Sequence, residues 1–87
     1  MAGMDPWVLS QHARTVISEQ CISLEWIAAA LFAPDRVETD PADEQLTHVL
    51  RRIPAADHRV LRVVYNGTGS PAVIVTAFFD RRERWRR

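Results

Sequence analysis

The sequence lacks lysine and has little cysteine or glycine. All eleven of its cationic side chains are arginines, and its 87 residues include one cysteine and three glycines. The single Cys21 cannot form an internal disulfide bond, which is typical of a protein in a reducing compartment. The longest apolar run, residues 27–33, is far too short to cross a membrane, and the start of the chain lacks the pattern of a signal peptide. We therefore expect a cytoplasmic protein that does not contact a membrane.

The sequence also offers no ligand set for a metal ion. One cysteine and three scattered histidines show none of the spacings that are typical of metal sites. Gly67 and Gly69 belong to a predicted turn, so we do not interpret them as a phosphate-binding loop. We predict no metal and no cofactor.

Charge is distributed very unevenly along the chain, although its formal net charge is zero. Residues 1–50 carry two arginines and eight acidic residues, a net charge of −6, whereas residues 51–87 carry nine arginines and three acidic residues, a net charge of +6. This asymmetry favours either a basic surface that meets phosphates or self-association through complementary charge. A partner RNA and a homodimer are therefore two alternative hypotheses, and neither follows from the net charge alone.

Two short helices are predicted in the first half of the chain. The Asp-Pro pair at 5–6 is a candidate start of the first helix, Ser10 is an alternative cap, and an apolar stripe continues to about Gln20. Ser23 is predicted to cap a second helix that Pro34 ends.

The second half of the chain has the pattern of an antiparallel sheet. Residues 59–65 and 73–79 are β-branched and aromatic runs that flank a cluster of Asn, Gly and Pro, which is the pattern of a β-hairpin. Residues 46–53 have strand character, and residues 36–39 are a candidate edge strand. We therefore predict an α+β fold in which two N-terminal helices pack on a three- to four-stranded antiparallel sheet.

These elements predict a single domain over residues 1–87, with its core at 10–82 and a basic tail at 81–87. Five blocks in it resemble a family of small bacterial domains of unknown function, grouped with the toxin nucleases of the RelE, EndoU and barnase-like fold. In chain order the blocks are SQHA at 10–13, CIS-x-E-x-I at 21–27, AL-x-x-PDRVE at 30–38, LRVVY at 61–65 and VTAFFDRR at 75–82.

The resemblance implies a function as well as a fold. It implies a sheet whose open face binds RNA and cleaves it without a metal ion, in the toxin half of a toxin–antitoxin pair that an antitoxin protein keeps silent. The motif residues of the family fall on His12, Arg62 and Thr76. The basic residue that the family usually has between the two helices is replaced here by Gln20 and Cys21.

Metal-free RNA cleavage needs groups that carry protons and a cation that stabilises the phosphate. Because lysine is absent, the side chains that can exchange a proton near neutral pH are chiefly the three histidines. We predict that His12 carries the proton, and the alternative is a boundary histidine that packs beside Leu9. His48 and His58 fit the simpler interpretations of a sheet-surface and a solvated loop residue.

Arg62 is unusual because it is flanked on its own strand face by Val60 and Val64. Such a cation must reach solvent, pair with an acid or bind an anion. We assign it to the scissile phosphate, with a structural ion pair as the alternative. Thr76 would orient the substrate, or would be an ordinary strand threonine.

Six further residues are predicted to bind RNA: Arg51, Arg52, Arg59, Arg81, Arg82 and Trp85. The basic tail that contains Trp85 is otherwise interpreted as a solvated terminus. The sequence thus leads to two hypotheses, a metal-independent ribonuclease-like toxin and a non-catalytic module that docks a partner or itself through the sheet face or edge.

Overall fold

The computed structural model describes residues 6–83. In chain order these residues form β1 (Trp7–Leu9), α1 (Gln11–Glu19), α2 (Leu24–Phe32), β2 (Arg36–Thr39), β3 (Leu46–Ile53), β4 (Arg59–Asn66) and β5 (Ala72–Phe79). A single turn of 3-10 helix, Pro54–Ala56, links β3 to β4. The predicted α+β class and its two helices are confirmed.

The sheet differs from the prediction in its strand number and direction. The strands within residues 6–83 form one five-stranded mixed sheet in the order β1-β5-β4-β3-β2, where β1 is parallel to β5 and the other pairs are antiparallel. The prediction of three to four antiparallel strands therefore missed β1. Its partner is more than sixty residues away along the chain, and a local sequence pattern cannot reveal such a pairing.

The first helix begins later than the Asp-Pro pair suggested, because the residues after that pair belong to β1. Ser10 is the cap of α1: its Oγ accepts a hydrogen bond from the amide of Ala13 at 3.0 Å and donates to the carbonyl of Val75 at 3.1 Å. This hydroxyl therefore fixes the helix start directly against β5. Ser23 caps α2 as predicted, accepting from the amide of Glu25 at 3.0 Å.

The two helices cover one face of the sheet and leave the other without a helix. Leu61 and Val63 of β4 face the helices and belong to the hydrophobic core, together with Ala13 and Ile17 of α1 and Ile27 of α2. Because side chains alternate along a strand, Val60, Arg62 and Val64 lie on the opposite, helix-free face. In the two rows that run through Arg62 and Val64, the strand register adds six more side chains to that face: Arg36, Glu38, His48, Leu50, Thr76 and Phe78.

In the part of the chain that the structure describes, no single helix is long and apolar enough to cross a membrane. Helices α1 and α2 have the length and composition of a membrane span only when they are taken together, and the chain bends by 117° between them. The same residues also contain no group of three His, Cys, Asp or Glu side chains placed to hold a metal ion.

Candidate anion-binding cleft

Arg62 lies on the helix-free face, where carboxylates and a histidine surround its guanidinium. The residue is 7% exposed. Its Nε donates to Asp80 at 2.8 Å, and its Nη1 donates to Glu38 at 3.2 Å and to Nδ1 of His48 at 2.8 Å. Its Nη2 lies 3.6 Å from the carboxylate of Glu83. All three guanidinium nitrogens are therefore engaged, as in the structural ion pair that the sequence left open as an alternative.

His48 is held on both sides of its ring within this network. Its Nε2 lies 2.7 Å from Oδ1 of Asp40, and its Nδ1 faces the Nη1 donor of Arg62. Because Arg62 can only donate, Nδ1 must accept, and the neutral ring carries its proton on Nε2. Neither ring nitrogen of His48 is left for a ligand in this arrangement.

The carboxylates of the network are held in their charged form. The hydrogen bond from Arg62 is the main reason why the pKa of Glu38 lies below its usual value. Burial raises the pKa of Asp80, but the hydrogen bond from Arg62, with the amide and charge of Arg82, outweighs it, so that this pKa is also lowered. The contact with His48 and two backbone amides lower the pKa of Asp40.

The same contacts fix the turn at residues 80–83 against the sheet. The amide of Asp80 donates to the carbonyl of Val60 at 2.9 Å, and the amide of Glu83 donates to the carbonyl of Asp80 at 3.2 Å. The carboxylate of Glu83 then accepts a hydrogen bond from Arg36 of β2 at 2.6 Å. The chain after β5 is thereby tied to the helix-free face and to the far edge of the sheet.

A cleft of about 570 Å³ lies beside this turn, where β4 begins and β5 ends. Its lining consists of Asp57, His58, Arg59, Val60, Phe79, Asp80, Arg81 and Glu83. Two of these residues, Asp80 and Glu83, also belong to the Arg62 network, so the network supports one wall of the cleft.

Two arginines bring positive charge to the cleft. The guanidinium of Arg59 lies 4.1 Å from the centre of the Phe79 ring, and its Nε donates to the carbonyl of Ala56 at 3.1 Å. Within residues 6–83, the terminal nitrogens of Arg59 make no hydrogen bond, and Arg81 is exposed with no ion pair. These cations are not neutralised by the described residues as Arg62 is.

His58 lines the cleft from a tight loop. Asp57 and His58 both have left-handed backbone angles, with φ of 62° and 60°, and such residues are uncommon and strained. The amide of His58 donates to the carbonyl of Ile53 at 3.1 Å, which holds the loop closed. Nη1 of Arg52 lies 2.7 Å from Nδ1 of His58. The neutral ring therefore carries its proton on Nε2, which makes no hydrogen bond to another described residue and can donate to an anion.

The three residues that the resemblance assigned to catalysis are not brought together. Arg62 and Thr76 share the helix-free face, and Thr76 lies opposite Val64, the next residue of β4 on that face. His12 is exposed on α1, which packs on the other side of the sheet. The roles of His12, Arg62 and Thr76 in catalysis stay predictions.

The residues predicted to bind RNA fall into two groups. Arg59 and Arg81 line the cleft, and Arg52 contacts His58, so three of them meet there. Arg51 points to the helix side, where it donates to the carbonyl of Ala33 at 2.6 Å, and Arg82 is exposed with its Nε 3.5 Å from Asp80. Trp85 lies outside the described residues. The sequence signal for His58 is the Asp-His-Arg run where the five-residue loop at 54–58 meets β4.

The fold and the cleft define a small α+β domain with a cleft at one end of a mixed sheet, where Arg59, Arg81 and His58 meet the carboxylates of Asp57, Asp80 and Glu83. The chain belongs to the family described as a domain of unknown function, DUF4258, whose model matches residues 9–79. No curated protein and no solved structure matches the chain. The family match ends just before the turn at residues 80–83, so that turn lies outside the matched part. The grouping with toxin nucleases stays a prediction.

Proposed function

We propose that this domain binds the phosphodiester backbone of RNA in the cleft and cleaves it without a metal ion, as a ribonuclease-like toxin. The observation that supports this proposal is the group formed by His58, Arg59 and Arg81 in one cleft, with Arg52 in contact with the histidine. The cytoplasm is the compartment in which such a toxin would meet its RNA.

Recognition of phosphate follows from the chemistry of these side chains. An arginine offers several N–H donors in a fixed fork and binds phosphate oxygens in pairs. Arg59 and Arg81 have donors to offer, and Nε2–H of His58 adds a third source. A single-stranded segment fits this site best, because its bases leave the backbone accessible.

His58 is also the candidate proton carrier. When Arg52 turns from His58 to a bound phosphate, Nδ1 of His58 no longer accepts a hydrogen bond and can take the proton of the ribose 2′-hydroxyl. The 2′-oxygen then forms a bond to phosphorus, the bond from phosphorus to the 5′-oxygen breaks, and the proton passes from His58 to that leaving oxygen. The products are a 2′,3′-cyclic phosphate and a 5′-hydroxyl end. Arg59 and Arg81 stabilise the charge that develops on the phosphate.

The decisive experiment compares two histidines in an RNA cleavage assay with a chelator present. His58→Gln should lower the rate about 10²- to 10⁴-fold, the usual contribution of a positioned acid or base. His12→Gln is the matched control, because His12 is also exposed but lies on α1 outside the cleft. If His12→Gln abolishes cleavage and His58→Gln does not, the assignment based on the resemblance holds and the cleft assignment fails.

Growth measurements test the role as a toxin. Expression of the wild-type chain in bacteria should slow growth and degrade RNA, and the His58→Gln variant should do neither. Coexpression of an antitoxin encoded beside the toxin should restore growth in the wild type. A wild-type chain that neither slows growth nor cuts RNA, while folding normally, would refute the nuclease proposal.

A non-catalytic binding module is the second candidate. The observation that favours it is that the hydrogen-bonding groups of Arg62 and His48 are paired within the chain. Arg62, the buried cation of the helix-free face, then has a structural role. This candidate predicts binding of RNA or of a partner protein with no cleavage product. Labelled RNA that binds the wild type and remains intact would decide for it.

A further inference from the structure

Strand β2 forms one edge of the sheet and has unpaired backbone groups. The amide of Asp40 donates to the carbonyl of Leu46, so this residue pair is hydrogen-bonded towards β3. Hydrogen-bonded and non-hydrogen-bonded pairs alternate along an antiparallel ladder, so Arg36 and Glu38 also point their backbone groups towards β3. The N–H and C=O of Val37 therefore point outwards, away from the sheet.

The side chains of this edge are complementary to themselves. We propose that a second copy of this chain pairs with β2 in antiparallel orientation about a two-fold axis at Val37, which joins the two sheets into one. In that register Val37 lies opposite Val37 of the second copy, and Arg36 lies opposite the second Glu38 on both sides of the axis. The two valines exchange both of their outward hydrogen bonds. This inference does not depend on RNA cleavage.

Apolar exposure on the same side of the sheet supports this interface. Val37 is 58% exposed, and it lies on the helix side because it is opposite the core residue Val49. On that side α2 packs on β3 and β4, and it exposes a stripe of Leu24, Ala28 and Phe32, with Phe32 66% exposed. A two-fold axis at Val37 brings both copies of α2 to the same side of the joined sheet.

The charge pattern selects this register against its neighbours. A two-fold axis at Arg36 would place two arginines opposite each other, and an axis at Glu38 would do the same with two glutamates. Like charges directly opposite are destabilising, whereas the register centred on Val37 forms two pairs of opposite charge. Strand β2 contains no proline, which would remove an outward N–H from the edge.

Sedimentation equilibrium of the intact protein between about 1 and 500 μM tests the proposal, because this range covers dimers with a Kd on the order of micromolar. Val37→Pro removes the outward N–H and leaves the bonds from β2 to β3, so the fold remains and Kd should rise at least about 10-fold. Val37→Asp should have the same effect. Val8→Asp is the matched control, because Val8 is an exposed valine on the other edge strand, and it should leave Kd unchanged.

A charge exchange gives a second measurement. Arg36→Glu leaves one chain with two acids on β2, and Glu38→Arg leaves the other with two arginines. Each variant should be monomeric alone, and a mixture of the two should form a mixed dimer in native mass spectrometry. Circular dichroism of each variant shows whether it is folded.

The proposal is overturned by a wild-type chain that is monomeric over the whole range, or by a dimer that survives Val37→Pro. It is also overturned if Val8→Asp breaks the dimer, which would assign the interface to β1. A dimer that Phe32→Ser breaks and Val37→Pro does not would assign it to the α2 stripe. Failure of the charge-exchange variants to form a mixed dimer while folded would exclude the register centred on Val37.

Discussion

The Arg62 network and the cleft are adjacent regions with the same type of cation and different partners. Arg62 is buried and meets Asp80, Glu38 and Glu83, so its charge is neutralised within the chain. Arg59 and Arg81 are exposed and line the cleft without a carboxylate partner in the described residues. The difference indicates that the partners of an arginine, rather than its presence on a sheet, decide whether it can bind a ligand.

The comparison also shows how the two regions cooperate. Arg62 binds Asp80 and approaches Glu83, and both of these residues line the cleft. The neutralised arginine therefore acts on the cleft indirectly, by holding the turn that forms its wall. Loss of Arg62 should weaken ligand binding by displacing the turn that forms the cleft wall, whereas loss of Arg81 should weaken it only by removing a positive charge.

Removing Arg62 should have the largest effect on stability. Arg62→Ala leaves the buried carboxylate of Asp80 without its partner, and breaking a buried pair in this way costs about 3 to 5 kcal/mol of the free energy of unfolding. Chemical denaturation of the wild type and the variant measures this loss. A change below about 1 kcal/mol would mean that the carboxylates find new partners or water, and that the network is not structural.

Acidification should weaken the same network to a smaller extent, because Arg62 stays charged and buried. The pKa values of Asp80 and Glu38 are lowered in the folded state, so their contribution is present above the unfolded values of about 3.9 and 4.3. This stabilising contribution is lost as the pH falls through the pKa values of the unfolded state towards the lower pKa values of the folded state. Denaturation measured at several values from about pH 7 down to pH 3 should show the free energy of unfolding decreasing as the pH is lowered. The free energy of unfolding of Arg62→Ala should decrease less steeply over the same range. Parallel curves for the two proteins would contradict this.

The sequence was sufficient to predict the elements built from local patterns. Ser23 as a cap, the strand at 46–53 and the hairpin all follow from periodicity and turn chemistry. Strand β1 was missed because its three residues gain their backbone partners from β5. The neutralisation of Arg62 was left as one alternative, because Glu38 and Asp80 are distant in sequence and only the sheet register brings them to it.

The candidate site was predicted less well than the fold. Arg52, Arg59 and Arg81 were among the predicted RNA-binding residues and meet at the cleft, because two strand ends and a loop converge there. The proposed role of His58 is argued from its contact with Arg52 and its place in the cleft, and neither can be inferred from residue types.

Arg59 is expected to show an intermediate effect, because it makes structural contacts and also lines the cleft. Arg59→Ala removes the contact with the Phe79 ring and the hydrogen bond to Ala56, which should cost about 1 kcal/mol of stability. The same variant should lower the affinity for single-stranded RNA, measured by fluorescence anisotropy. Arg14→Ala, an exposed arginine on α1, is the control and should change neither quantity. An Arg59→Ala variant that binds RNA as the wild type does would remove Arg59 from the site.

Arg81 should show the smallest effect on stability and a clear effect on binding. It is exposed and has no ion pair within residues 6–83, so Arg81→Ala should change the free energy of unfolding by less than about 0.5 kcal/mol. If Arg81 contacts one phosphate, its loss should reduce the dependence of log K on log salt by about 0.7, the value for one contact with a single strand. Anisotropy titrations at several salt concentrations measure this slope. An unchanged slope with unchanged stability would mean that Arg81 is a solvated residue, and the cleft would then rely on Arg59, His58 and Arg52.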